Sequence, residues 1–302
     1  MNATVAQICE RLHKEASDTS EGQLWLGIDA GSPNAPPLPA LLQQAIDTPS
    51  ALTIRPRHPS MEGHPCPHWL PLNLLRSQGS QLLALSVERA LAECAAPALR
   101  QGQGRRISGW LLCGHDAERA AQHLALSMVR KHPDGTACLL RLHDPAVMWA
   151  IWQVLDAPQR AQLLGPIQTW YLLDPQQRLT VLSETARDEK ASLATWSEAQ
   201  WQDIEHIGAF NKALRQQPPR SGELDRCFQV ALQAMRRART AGFRHPQDLV
   251  AYAIHAMNTH PRFDMHPLVR QVVDLAQPDE SFCERVSGLS EEDWALVRRS
   301  TI

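Results

Sequence analysis

Residues 107–113 have the sequence Ile-Ser-Gly-Trp-Leu-Leu-Cys, and residues 141–145 have the sequence Arg-Leu-His-Asp-Pro. The first stretch is apolar almost throughout, which predicts a central strand that is buried on both faces. In the second stretch Asp144 and Pro145 favour the start of a helix, because aspartate is a good N-cap and proline suits the first helical position. Together the two stretches predict an α/β fold with strand 107–113 at its centre.

The same alternation of strands and helices extends through residues 110–174. Asp116 is a candidate cap for the helix after the first strand, and that helix is predicted to include Met128 and Val129. Asp134-Gly135 predicts a tight turn into a strand over 136–142. Gly165-Pro166 ends a short helix that begins near residue 158. Two further strands, 168–173 and 178–183, are predicted to form a hairpin around Asp174-Pro175.

The rest of the chain divides into two lobes. Apolar spacing predicts helices over 3–15 and 81–99 and a strand over 24–29. The prolines of 48–71 favour an ordered loop and discourage a central strand, and residues 51–54 within it are a candidate short strand. After a polar run at 187–190 the spacing is helical throughout. We predict an α/β N-terminal lobe with a mixed sheet flanked by helices, residues 1–185, followed by an all-α C-terminal lobe, residues 186–302.

Composition and charge are those of an ordinary globular protein. The 302 residues carry a formal net charge of −2, which gives no reason to expect nucleic acid or an anionic membrane as the main partner. The seven cysteines show no Cys-x-x-Cys pattern, as expected of free thiols in a reducing compartment. Since no secretory signal is visible and no apolar run approaches ~18 residues, we expect a cytoplasmic protein without membrane insertion.

A first candidate for chemistry is the group His58, His64, Cys66 and His68. Imidazole and thiolate ligands suit zinc, but this spacing matches no standard zinc pattern. In an extended segment broken by prolines, alternate side chains also point apart. We therefore favour a proline-rich surface segment and expect no metal there.

A second candidate is the group His255, His260, Asp264 and His266 in the helical lobe. Polar residues in a loop between helices are usually caps or solvated, and a His-Asp pair needs a converging nucleophile to be catalytic. No standard nucleophile, metalloprotease or nucleotide-binding motif occurs, so we expect no enzyme activity and no cofactor. The alternative function is a hydrolase or metal-dependent enzyme that uses segment 58–68 or loop 255–266.

Arg236, Arg237 and Arg239 form the most notable basic cluster of the sequence, and Phe243 follows shortly after them. A solvated helix face is one interpretation of the arginines, and a contact surface for an acidic protein partner is the other. We keep all four as candidate partner-binding residues. On the second interpretation, reversing the three charges should weaken binding and leave thermal stability nearly unchanged.

Arg141 and Asp144 stand at the end of a predicted strand and at the start of a predicted helix. A contact between their side chains would fix the strand-to-helix turn. A carboxylate beside an arginine is also a common active-site pair, but Asp144 is engaged as a cap. We therefore favour a structural role for both residues.

The order of these motifs resembles the type VI secretion effector adaptor/chaperone family, whose members link toxic effectors to the VgrG spike. The resemblance covers about residues 22–175 and is looser over the helical remainder. The chain departs from the family pattern at Leu142 and His143, where an aromatic pair is usual, and at Cys113, where serine is common. The matching motif residues are Trp110, Arg141, Asp144, Pro145, Gly165, Pro166 and Trp170.

The resemblance implies an adaptor with no catalytic step. Its expected partners are a toxic effector and the VgrG spike protein, and the motif residues are expected to be structural. The two lobes would hold part of the effector by burying apolar segments, with specificity from charged residues at the rim. The resemblance leaves open which lobe binds the effector, whether the effector is folded, and the oligomeric state.

Overall fold

The structure is a computed structural model that describes residues 3–19, 22–32, 34–184, 195–275 and 280–301. The chain forms two compact units, residues 1–198 and residues 199–302. The predicted fold class, an α/β region followed by an all-helical region, is confirmed. The predicted lobe boundary at 185/186 and the polar run at 187–190 lie outside the described residues.

The strands of the first unit form one large sheet and one small hairpin. They are β1 (Gln23–Asp29), β2 (Leu52–Thr53), β3 (Pro67–Leu72), β4 (Ile107–Cys113), β5 (Val129–Lys131), β6 (Ala137–Leu139), β7 (Ile167–Leu173) and β8 (Leu179–Leu182). The large sheet has the order β2-β3-β1-β4-β7-β8, and β5 pairs with β6. All described pairs are antiparallel, where we predicted a mixed sheet. The apolar runs mark buried strands, but they do not specify strand direction.

Strand β4 occupies the centre of the sheet, as predicted. It lies between β1 and β7, and all seven of its residues are buried. Gly109 has a φ of +130°, and a Cβ at this position would lie 2.2 Å from the carbonyl oxygen of Tyr171. The close approach of β7 therefore requires a residue without a side chain at this point of the strand.

The prediction that prolines keep residues 48–71 out of the sheet interior is wrong. Strand β3 contains Pro67 and Pro71, yet it pairs with β1 along its whole length and with β2 on its other side. Ile54 N donates to Pro67 O at 2.8 Å, so the backbone polar groups of Pro67 point towards β2. By the alternation of antiparallel strands those of Pro71 also point that way. Because β2 spans only two residues, Pro71 removes no donor that the sheet uses.

Helices cover both faces of the large sheet. One face packs against the first three helices through a continuous apolar cluster that includes Leu12, Leu42 and Leu83. On the other face, the two helices that precede β7 pack against β4 and β7. The helices are α1 (Ala3–Asp18), α2 (Ala40–Ile46), α3 (Ser77–Glu93), α4 (Ala96–Arg100), α5 (Ala117–Ser127), α6 (Pro145–Val154) and α7 (Ala157–Leu164). Most of the predicted helices and strands agree with these bounds.

Two predicted elements differ from the structure. The helix predicted over 81–99 is two helices, α3 and α4, with Pro97 at the start of the second. Proline lacks a backbone N–H and its ring clashes with the preceding turn, so one continuous helix is interrupted there. The strand predicted over 136–142 is only Ala137–Leu139, and its partner β5 begins at Val129, which we placed in a helix.

The second unit is helical throughout its described residues. Its core includes an aromatic cluster in which Tyr252 lies 5.1 Å from Phe263 and 4.3 Å from Phe282, measured between ring centroids. Gly242 has a φ of +94° and follows Ala241, the C-cap of the second helix of this unit, a position where glycine is common. The helices are α8 (Glu198–Gln216), α9 (Leu224–Thr240), α10 (Pro246–Asn258), α11 (Pro267–Leu275), α12 (Phe282–Val286) and α13 (Glu291–Arg299). No helix in the described parts of the chain has the length and apolar character needed to cross a membrane.

Candidate functional site

The motif at residues 141–145 lies over one end of the large sheet, where it meets the last residue of β1. His143 Nε2 faces Asp29 Oδ2 at 3.5 Å, and Arg141 Nη2 faces the same oxygen at 3.8 Å. The other oxygen of Asp29 accepts a hydrogen bond from Gly31 N at 2.9 Å. Asp29 and His143 are buried, whereas the Arg141 side chain is 46% exposed. One buried carboxylate therefore holds the motif turn onto the sheet.

The surroundings of Asp29 favour its ionised form. Burial alone raises the pKa of this carboxyl group, but the hydrogen bonds from His143 and Gly31 and the charge of Arg141 lower it more. The net pKa is below the ordinary value for aspartate. The attachment of the turn thus depends on an ionised carboxylate that faces both His143 and Arg141.

Asp144 has the capping role predicted for it, but its side chain does not contact Arg141. Its Oδ1 accepts a hydrogen bond from Ala146 N at 3.0 Å, at the start of α6. The predicted contact between Arg141 and Asp144 is therefore wrong: Arg141 faces Asp29, and Asp144 faces Arg105 Nη1 at 3.7 Å. An N-cap carboxylate points at the helix N–H groups, so it is turned away from the residue that begins the motif.

A second buried carboxylate at this end of the sheet was missed by sequence analysis. Glu93 accepts a hydrogen bond from Arg89 Nε at 2.6 Å and from the backbone N–H groups of Arg106 and Ile107 at 2.8 and 3.1 Å. Burial raises the pKa of Glu93, and these hydrogen bonds offset only part of that effect. The i,i+4 spacing of Arg89 and Glu93 on one helix was the available signal.

The two motif tryptophans are interior residues on opposite faces of the sheet. Trp110 donates its Nε1 proton to Ser86 Oγ at 2.9 Å and belongs to the cluster under α1–α3. Trp170 is paired with Leu111, the neighbour of Trp110 in β4, and donates to Ser108 O at 3.2 Å. Both side chains are buried and have a hydrogen-bond acceptor. Their position is that of core anchors.

Gly165 and Pro166 form the turn between α7 and β7, and His123 of α5 lies against that turn. His123 Nε2 lies 3.0 Å from Gln162 O and 3.2 Å from Leu163 O, so its proton is shared between two carbonyl oxygens of the last turn of α7. Burial lowers the pKa of His123, which favours this neutral donor. Gly165 has a φ of +53°, and a Cβ there would lie 2.3 Å from the His123 ring. The absence of a side chain at Gly165 thus leaves the space that the His123 ring occupies.

The arginines predicted to bind a partner each face a carboxylate of their own unit. Phe243, the fourth predicted residue, is buried and packs against Tyr252 and Phe282 at 5.6 Å. The partner-binding role of these four residues stays a prediction. The ion pairs are Arg236 with Asp203 at 2.5 Å, Arg237 with Asp264 at 2.8 Å, and Arg239 with Glu205.

The predicted zinc-type residues do not converge. His58 uses both ring nitrogens: Nε2 donates to Ala137 O at 3.1 Å, and Nδ1 accepts from Ser60 N at 3.1 Å. Its lone pair is therefore engaged by the backbone. His68 Nδ1 lies 3.4 Å from Thr53 Oγ1 on the neighbouring strand. Among the described residues, no group of three or more His, Cys, Asp or Glu side chains is arranged to hold a metal ion.

The residues of the predicted loop 255–266 are also engaged in local structure, and His255 lies within α10. The ring of His255 stacks on Trp294 with centroids 4.1 Å apart, and burial lowers the pKa of His255 to about 4. His260 and His266 each accept a hydrogen bond from a backbone N–H two residues further on. Asp264 holds Arg237. The structure does not bring these side chains together as a catalytic pair.

By its fold this protein is an α/β protein with an all-helical C-terminal region. Its motif residues lie in the core of the α/β unit or at its turns. Residues 39–162, less than half of the chain, match the model of a family described as a domain of unknown function (DUF4123). The match runs from α2 into α7 and includes Trp110 and the motif at 141–145. Gly165, Pro166 and Trp170 lie just beyond its end. No curated protein and no solved structure matches the chain.

Proposed function

We propose that this protein is an adaptor that binds a toxic effector and loads it onto the VgrG spike of a type VI secretion system. The observation that carries the proposal is the match of residues 39–162 to DUF4123, a family associated with effector adaptors of this system. The order of the motif residues also supports the proposal, both within residues 39–162 and just after residue 162. In this proposal the chain acts by binding and delivery in the cytoplasm, and it catalyses no reaction.

The positions of the motif residues suggest that they stabilise the fold, while other residues contact the partners. Trp110, Trp170 and His143 are buried, and Asp144 is committed to capping α6. Residues in such positions fix the scaffold and have little surface to offer a partner. We therefore assign effector and spike contacts to exposed surfaces around the sheet and on the helical unit.

The test is co-purification of the chain with a VgrG spike protein and with a candidate toxin of the same type VI secretion system. We expect a stable complex with each, and a three-protein complex when all are present. A control for dependence on the fold is the destabilised variant Trp110→Ala, which should lose both interactions at urea concentrations that unfold it but leave the wild type folded. If the wild-type chain binds neither protein while all three are folded, the proposal is wrong.

A further inference from the structure

Two segments that are distant in sequence meet at His58. Its Nε2 donates to the carbonyl oxygen of Ala137 in β6 at 3.1 Å, and Ala137 is paired with Lys131 of β5. The second ring nitrogen accepts from Ser60 N, which fixes the orientation of the ring. The proline- and histidine-rich segment therefore lies against the β5–β6 hairpin, with Arg57 adjacent in sequence to the contact.

This junction is positively charged. Segments 55–64 and 129–141 contain five Lys or Arg residues against two carboxylates, whereas the whole chain has a formal net charge of −2. One of the two carboxylates, Asp134, already faces His132 Nδ1 at 3.0 Å and accepts hydrogen bonds from Thr136. The surplus of positive charge is local to this side of the first unit.

Three of these cations are exposed and have no internal partner. The side chains of Arg55, Arg57 and Lys131 make no ion pair or hydrogen bond with any residue in the described parts of the chain. They differ in this from Arg236 and Arg237, whose guanidinium groups are each held by a carboxylate. A free exposed cation can pair with an external carboxylate without first breaking an internal contact.

A mainly apolar groove adjoins Arg55, one of the three cations. It has a volume of about 240 Å³ and is lined by β2 and α5, with Arg55 in its wall. An engineered apolar cavity of about 150 Å³ holds benzene, so this groove has room for a large apolar side chain. In the described residues no strand pairs with the outer edge of β2. The lining residues are Leu52, Thr53, Arg55, Glu118, Ala121, Gln122 and Ala125.

We propose that the surface formed by Arg55, Arg57 and Lys131 receives an acidic peptide segment of the partner protein. Carboxylates of that segment pair with the three cations, and one apolar side chain enters the groove beside β2. The inference rests on the proposed adaptor function, because it names the chemistry of the cargo contact. The charged contact with the partner, expected from the sequence at the arginines of the helical unit, is here placed on the α/β unit.

The test uses fluorescein-labelled peptides and fluorescence anisotropy with the full chain. One peptide alternates Asp and Glu around a central Leu-Phe pair, and a second has Lys in place of every acid. The test variant is Arg55→Glu/Arg57→Glu/Lys131→Glu. Its matched control is Lys14→Glu/Arg76→Glu/Arg100→Glu, which makes the same change in net charge at exposed positions elsewhere in the first unit. Circular dichroism verifies that both variants fold.

We expect the acidic peptide to bind the wild-type chain and the control variant, and the basic peptide to bind neither. The test variant should bind the acidic peptide at least about tenfold more weakly, since several attractive pairs become repulsive. Wild-type affinity should fall between about 0.1 M and 1 M salt, over which the screening length shrinks from ~10 to ~3 Å. Equal affinity of the test and control variants would overturn the inference.

The two proposals can fail separately. If the test variant still co-purifies with the spike and toxin proteins as the wild type does, this surface is not the cargo contact and the adaptor function stands. If the wild-type chain captures the acidic peptide through this surface but binds neither the spike protein nor the toxin, the surface is real and the adaptor function is wrong. If the test variant loses effector binding but keeps spike binding, both proposals are supported and the surface is the effector contact.

Discussion

The pair formed by Gly165 and His123 allows a sharp test of how the motif stabilises the fold. Gly165 has a φ of +53°, a backbone conformation that costs a residue with a side chain about 1–3 kcal/mol. An added Cβ would also lie 2.3–2.5 Å from three atoms of the His123 ring, so the ring must move. Moving it breaks the shared hydrogen bond to the end of α7, which is worth about 1 kcal/mol net. We expect Gly165→Ala to lower the free energy of unfolding by about 2–4 kcal/mol.

The assay is urea unfolding followed by circular dichroism, with Gly102→Ala as the matched control. Gly102 has a φ of +67° in the same unit, but nothing lies within 4 Å of an added Cβ, so only the backbone term applies. We expect this control to lose only the backbone contribution of about 1–3 kcal/mol. In a His123→Ala background the cost of Gly165→Ala should fall to the value of the control. Equal losses for Gly165→Ala with and without His123 would refute the proposed contact.

Three further predictions concern the two units. Trp110→Ala should cost about 3–5 kcal/mol in urea unfolding, because it removes a fully buried ring of the central strand; wild-type stability would contradict the core position. Asp29→Asn should destabilise the protein at pH 7 and have less effect below about pH 4, since a lowered carboxyl pKa contributes stability that is lost as pH falls; a loss that is independent of pH would point to packing alone. The pKa of His255 is lowered to about 4 in the folded protein, whereas it is about 6.5 in the unfolded chain. The unfolded chain therefore takes up a proton between about pH 6.5 and 4, and the free energy of unfolding falls over that window, by about 2 kcal/mol at pH 5. His255→Phe keeps an aromatic ring against Trp294 and should flatten this part of the pH profile, measured by thermal melts at pH 7.5 and 5.

The features that sequence predicted well depend on short-range signals. The N-cap at Asp144, the buried run of β4 and the hairpin around Asp174 each follow from residues within a few positions of one another. The partner of Arg141 does not, because Asp29 reaches it only once β1 lies next to β4 in the sheet. Strand order is a property of the whole unit, and periodicity carries no information about it.

The same limit explains why proline content was misleading in β3. A proline costs a strand its donor only if that donor faces a neighbouring strand. Whether Pro71 faces a partner depends on the length of β2, which no local rule supplies. Likewise, a run of arginines predicts a basic surface, but the acids that neutralise Arg236 and Arg237 come from other elements of the unit.

These internal pairs change what charge removal in the helical unit should do. Arg237 holds Asp264 through two hydrogen bonds of 2.8 and 2.9 Å and also donates to Pro261 O at 2.7 Å. The Asp264 side chain is only 11% exposed, so Arg237→Gln leaves a largely buried carboxylate without its main partner. Hydrogen bonds to charged groups contribute about 1.5–3 kcal/mol, and we expect a loss of about 2 kcal/mol.

Arg239→Gln is the matched control, since Arg239 lies on the same helix and its pair with Glu205 is exposed on both sides. An exposed pair contributes about 0–1 kcal/mol, so the control should melt close to the wild type. Thermal melts of the two variants at low and high salt separate the cases, because only the exposed pair is strongly screened. Equal melting temperatures would mean that Arg237 is held no more firmly than a surface arginine, and it would then again be a candidate for pairing with an acidic partner.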